Sequence, residues 1–172
     1  MAEAATATGY TFNGWSKTGT FTMPAEPVTI TGSFTANEYK LTIKNVFTDG
    51  TSAPPATSRD VAFGSDVTAR ALSVSATKGY TVSVAVEPEA ASLTVADDQR
   101  SVTGTMPASD VTITFTYTPI TVTLGADAQI VKVDGEGQAL NGAAFTFGGA
   151  TLTANGNIFS LEGTTVTYGQ TY

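Results

Sequence analysis

The side chains able to bind or react in this chain are carboxylates and aromatics, because it contains neither cysteine nor histidine. That absence removes thiol nucleophiles, disulfides, Ser-His-Asp and Cys-His catalysis, and the usual zinc and copper ligand sets. Glu87 with Glu89, and Asp97 with Asp98, stand close enough in sequence to share a cation. Neither pair has the glycine and terminal glutamate of an EF-type calcium loop, so solvated turns are the expected reading. A carboxylate pair for glycoside hydrolysis needs a deep cleft, which modules as small as those described below do not supply. Tyr10, Trp15, Tyr39 and Tyr80 have rings that stack on sugars. Against that, Tyr10, Tyr39 and Tyr80 fall on apolar strand faces, where a ring is core, and Trp15 sits beside an Asn-Gly pair. Trp15 and Tyr80 are the candidate glycan-stacking residues. No catalytic residue, metal or cofactor is expected, and the chain reads as a non-enzyme.

The elements that must carry these residues are strands. Of 172 residues 32 are threonine, with many valines beside them, a composition suited to half-buried pleated surfaces. The expected fold class is all-β, with one short helix at most, in small tandem modules of β-grasp-like or β-sandwich-like form. Hydrophobic residues make up 41% and charged residues 13%, enough apolar content for one to three small cores. A net charge of −7 leaves no basic footprint for phosphate backbones, so neither nucleic acid nor an anionic membrane is an expected partner. Met1 to Thr8 has no basic start or apolar run of the kind that marks a signal peptide, and no apolar stretch reaches membrane length.

The organising feature is an internal repeat. MPAEPVTITGSF from Met23 to Phe34 returns as MPASDVTITFTY from Met106 to Tyr117, at an offset of 83 residues. An offset of that size is the length of a small domain and points to tandem modules. In the second copy Val111, Ile113, Phe115 and Tyr117 alternate with Thr112, Thr114 and Thr116, which predicts a core strand with one apolar and one threonine face. Pro24 and Pro107 mark where each copy's strand begins. Gly32 stands where Phe115 stands, predicting a hole or a bulge in the first copy.

Along the chain, Gly9 to Trp15 reads as half a hairpin, with Asn13-Gly14 as a tight turn. The first module is expected to be truncated, since its copy has a long front half that it lacks. Tyr39 to Ile43 alternates and opens the complete module; Ser52 to Arg59, with Pro54-Pro55, reads as a loop, and Val61 to Phe63 as a short strand. Val67 to Ser75 is a strand or a single helical turn. Tyr80, Val82, Val84 and Val86 share a strand face that ends at Pro88. Beyond Pro119, Val131 to Phe147 reads as strand, Asp134-Gly135-Glu136-Gly137 turn, and a second strand from Gly142; Asn155-Gly156 is a further turn. A last strand is expected to be missing at the end.

These stretches resemble repeat modules of bacterial surface proteins. Residues 38–119 look like a complete mucin-binding-protein (MucBP-type) repeat through KLTIKNVFTDGT, KGYTV and VTGTMPASDVTITFTY. Residues 1–37 are similar to the end of a Listeria-Bacteroides surface repeat through GYTFNGW and TMPAEPVTITGSF. Residues 120–172 resemble the front of a SpaA or CnaB-type pilin domain through VKVDGEGQALNGAAFTF, NGNIF and GQTY. The resemblance implies a Gram-positive, cell-wall-associated and extracellular setting, a stalk or adhesin role, and host mucin glycans or extracellular matrix as partners. It also implies that Lys132 is the lysine of an intramolecular isopeptide bond, a reaction needing an apolar pocket that keeps the amine neutral and a nearby acid protonated. The acid and acyl partner have no counterpart in the sequence, and the alternative for Lys132 is an exposed lysine flanking a turn. A last alternative is a fibre of neighbouring copies joined at open sheet edges.

Overall fold

The structure, a computed structural model, describes residues 3–90, 92–140, 144–148, 150–153 and 156–172. Among the described residues it is all-β, with no helix. The strands are β1 (Tyr10–Trp15), β2 (Gly32–Ala36), β3 (Glu38–Phe47), β4 (Thr57–Ala62), β5 (Asp66–Arg70), β6 (Tyr80–Glu87), β7 (Leu93–Val95), β8 (Ser101–Thr105) and β9 (Val111–Pro119). Then follow β10 (Thr121–Thr123), β11 (Gln129–Val131), β12 (Ala144–Phe147), β13 (Ala150–Thr153), β14 (Ile158–Ser160) and β15 (Thr165–Thr167). They fall into two compact units, residues 1–76 with 82–117, and residues 77–81 with 118–172.

The core of the first unit is built around β9. Its residues Val111, Ile113, Phe115 and Tyr117 are buried while the threonines between them are only half-buried, as the alternation predicts. β9 lies between β3 and β6 in a four-stranded sheet of order β4-β3-β9-β6. It runs parallel to β3, in a register that sets Leu41 beside Val111, Ile43 beside Ile113 and Phe47 beside Tyr117. A parallel neighbour requires a crossover, and the chain between β3 and β9 supplies the second sheet, of order β5-β8-β7. That sheet adds Val67, Ala69, Leu93 and Val102 to the buried set. Val67, Leu93 and Val102 each contribute roughly 1.5–3 kcal/mol by leaving water, and the Ala69 methyl less.

One polar network ties the two sheets together. The Tyr117 hydroxyl accepts the Leu72 amide at 2.8 Å, just past β5, and donates to Asn45 Oδ1 on β3 at 2.8 Å. Arg100 Nη2 donates to the Leu72 carbonyl at 2.7 Å, and the Phe47 ring stacks on Tyr117 at 4.7 Å. The hydroxyl is therefore satisfied as donor and acceptor inside the core.

Several expectations change. Asn13-Gly14 is not a hairpin turn; it is a β-bulge inside β1, where the register to β2 shifts between Phe12 and Gly14. The reason is local: Asn13 turns its amide to Thr35 Oγ1 at 2.9 Å, and Gly14 takes φ of +117°, so the pair adds one residue to a continuing strand. Thr57 to Arg59 belong to β4 rather than to a loop, paired with Leu41 to Ile43. Val67 lies in the strand β5, which excludes the helical turn there. In the first copy the strand begins only at Gly32, well after Pro24.

In the second unit β10 pairs with β15, β11 with β14 and β12 with β13, each as a two-stranded antiparallel sheet. Around the Asp134–Gly137 turn the expected hairpin shrinks to a single bridge, Val133 to Ala139, because β11 is taken by β14. Asp134 Oδ1 closes the turn by accepting the Glu136 and Gln138 amides at 3.0 and 2.8 Å. Gly142 and Asn155, named in the sequence reading, lie outside the described residues.

Burial holds the Tyr117 phenol above its ordinary value of 10.0, against the smaller opposing effects of the Leu72 amide and Arg100. A raised folded value means that, above pH 10, the unfolded chain loses this proton first. Stability is then unaffected below that pH and falls as pH rises towards the folded value. Chemical denaturation across pH 9 to 11 is expected to show this decline, and Tyr117→Phe to flatten it. At pH 7 the same substitution should cost about 1–3 kcal/mol by orphaning the Leu72 amide. An unchanged high-pH slope in the variant would refute the assignment.

Candidate functional site

The surface with most claim to function belongs to the first copy of the repeat. Its residues are the same types as those of β9 and its surroundings, yet their burial is reversed. Met23, Ile30 and Phe34 are 65, 42 and 39% exposed, whereas their counterparts Met106, Ile113 and Tyr117 are 1, 0 and 0% exposed. The physical cause is the missing neighbour. β9 has a strand on each side, but among the described residues β2 pairs with β1 alone. Val28 to Ile30, equivalent to the start of β9, are not in a strand at all. Thr31 extends the β1–β2 pairing, donating to Ser16 Oγ and accepting the Ser16 amide.

The bulge in β1 shapes this surface. By adding one residue it brings Phe12 and Trp15 onto the same face, their rings 5.1 Å apart and edge to face. Phe34 joins them at 5.1 Å from Phe12. Gly32 is neither a hole nor itself bulged: a Cβ there would lie 2.8 Å from the Phe12 ring and 3.0 Å from Trp15. The larger aromatics of β1 occupy the space that Phe115 fills from its own strand in the second copy. Beside them a shallow hollow of about 400 Å³ is lined by Ala5 to Thr8, Tyr10 and Phe12.

Trp15 is half-buried, packed on Phe12 and Gly32, with Nε1 donating to the Glu3 carbonyl at 3.2 Å. Tyr80 is half-buried in the second unit, its ring edge to face with Tyr168 at 5.5 Å. Tyr10, read as core, is 41% exposed, with its ring against Phe63. Lys132 is exposed, its backbone paired with Asn157: the Lys132 amide donates to the Asn157 carbonyl, and Asn157 Nδ2 to the Lys132 carbonyl at 3.1 Å. Asp97 and Asp98 are exposed, and Asp98 Oδ1 accepts the Arg100 amide at 3.0 Å. No three His, Cys, Asp or Glu among the described residues gather closely enough to hold a metal ion. Gly9 and Gly79 are each pressed against an aromatic ring, a role signalled in the sequence only by the repeated Gly-Tyr pair.

Residues 2–38 match the model of a family described as a divergent InlB B-repeat domain, a bacterial surface repeat. No curated protein and no solved structure matches the chain.

Gly32→Ala is expected to displace Phe12 and Trp15 and to destabilise the β1–β2 pair by about 1–3 kcal/mol. The readout is tryptophan emission, since Trp15 is the single tryptophan: it should shift to the red as the ring gains water. Unshifted emission with unchanged stability would contradict the packing described for Gly32.

Proposed function

We propose that this chain is a non-catalytic repeat region of a bacterial cell-surface protein, serving as a stalk or adhesive spacer outside the cell. The observation that carries the reading is the match of residues 2–38 to a surface repeat whose closing stretch recurs 83 residues later. Supporting it, the apolar residues of β9 and of the strands around it are buried in a closed core. An acidic, threonine-rich exterior also favours solubility in an extended array. Mucin-type glycans are the alternative ligand class, and the Phe12–Trp15–Phe34 group is where such binding would lie. On a mucin and glycan array the chain is expected to stay silent. Selective binding that Trp15→Ala abolishes, with the fold retained by circular dichroism, would replace the spacer with a glycan-binding module.

A second reading, completion of the open sheet edge by a strand from a neighbouring chain, is favoured by one observation. Ile30 and Phe34 are exposed where Ile113 and Tyr117 are buried beside β3. Light scattering across a hundredfold concentration range tests it. Mass that rises with concentration, and returns to the monomer in Ile30→Asp, is the expected result. A constant monomer mass would exclude it.

A further inference from the structure

The two units contain the same joint, built from different parts of the sequence. In the first unit Gly9-Tyr10 opens β1, Asn37 lies just before β3, and Phe63-Gly64 turns the chain after β4. In the second unit Gly79-Tyr80 opens β6, Ile120 lies just before β10, and Tyr168-Gly169 turns the chain after β15. Four backbone hydrogen bonds correspond. Tyr10 N donates to Ala7 O at 3.1 Å, and Tyr80 N to Thr77 O at 3.1 Å. Asn37 N donates to Gly9 O at 2.8 Å, and Ile120 N to Gly79 O at 2.8 Å. Phe63 N donates to Asn37 O at 2.8 Å, and Tyr168 N to Ile120 O at 2.9 Å. The turns that follow also agree, Ser65 N to Ala62 O at 3.0 Å and Gln170 N to Thr167 O at 3.2 Å.

The side chains repeat as well. Gly9 and Gly79 have φ of +78° and +85°, and a Cβ on either would fall 2.3 Å from the ring of Phe63 or Tyr168 respectively. Only glycine combines that left-handed backbone with a ring laid against its Cα. Tyr10 meets Phe63 edge to face at 5.3 Å and 80°, and Tyr80 meets Tyr168 at 5.5 Å and 72°. The pairing behind the joint is conserved too: Tyr39 opposes Val61 in β3–β4, and Val122 opposes Val166 in β10–β15.

We propose that β10 and β15 are the opening hairpin of a third copy of the module, docked through a glycine–aromatic clasp that is the general joining surface of this repeat. The surface is the aromatic-glycine corner that ends the second strand of the hairpin. Its partner is the Gly-Tyr start of a β6-type strand in the preceding copy. Residues 125–162 are then an insertion at the tip of the hairpin. Its two ends leave from adjacent points, since Leu124 N donates to Thr164 O at 2.8 Å and Gly163 N to Leu124 O at 2.9 Å. On this assignment the pilin-like stretch with Lys132 is confined to the insertion, and Gly169 to Tyr172 belong to the repeat.

Two experiments test the assignment, both read by amide hydrogen exchange on the full chain. In the first, residues 125–162 are replaced by Asn-Gly, a turn that closes a two-residue hairpin. The Ile120 and Tyr168 amides should keep their protection. Loss of that protection, while the β3 and β9 amides keep theirs, would overturn the insertion. In the second, Gly9→Ala and Gly79→Ala are made separately in the intact sequence. Gly79→Ala should speed exchange at Ile120 and Tyr168 by about tenfold or more, and Gly9→Ala should do the same at Asn37 and Phe63. Each should leave the other clasp unchanged. Unaltered exchange at Tyr168 in Gly79→Ala would overturn the shared joint even if the first variant failed to fold.

Discussion

An alternating strand with one apolar face can be buried only if strands flank it and a second layer covers it, and β9 is the strand on which that constraint falls hardest. Val111, Ile113, Phe115 and Tyr117 all lose their water because β3 and β6 hold β9 on both edges and the β5-β8-β7 sheet contributes the remaining buried side chains. The parallel β3–β9 contact follows from the same requirement. The first strand of the module and the last meet at the centre of the sheet, so the chain between them flanks the pair with β4 and β6 and makes its crossover through the β5-β8-β7 sheet. Tyr117 closes the arrangement chemically, because its hydroxyl bonds to β3 on one side and to the chain leaving β5 on the other.

The first copy shows what the same sequence does without that flanking. Its Val28 to Ile30 stretch does not form a strand, β2 starts late, and the residues equivalent to the core stay wet. What order it has comes from a different solution. The bulge in β1 adds a residue, aligns Phe12 with Trp15, and lets two rings cover the bare Cα of Gly32. Near-identical local sequence therefore gives a buried strand in one place and an exposed segment in another. The difference lies in long-range pairing, not in propensity.

That explains which features could be read from the amino acids. β9, β6 and β3 were legible because each alternates cleanly, and alternation reports a half-buried strand whatever its partners are. Turns at Asp49-Gly50, Asp97-Asp98 and Asp134 to Gly137 were legible because their chemistry is local. Asn13-Gly14 misled because a bulge and a type I′ turn ask for the same residues, and only the register of the opposing strand separates them. The start of β4 was hidden by the Pro54-Pro55 punctuation, which marks where a loop is but not where it ends. Gly32 could not be interpreted from its own copy, since what fills its space comes from β1.

The clasps extend the same logic from the core of one module to the joint with the next. A glycine–aromatic contact costs little sequence: two residues at the start of one strand and two at the end of another, with backbone hydrogen bonds supplying the rest. Such a joint tolerates Phe63 or Tyr168 on one side and Asn37 or Ile120 at its centre, because the hydrogen bonds the two clasps share use only the central residue's amide and carbonyl; the Asn37 side chain adds a bond of its own, accepting the Thr11 hydroxyl. A repeat with this economy can vary its exposed faces and accept an insertion at a hairpin tip without altering how copies meet. That separation of a fixed joint from variable surfaces is what a surface array needs if modules are to be added, lost or decorated independently, since each copy then depends only on its neighbours.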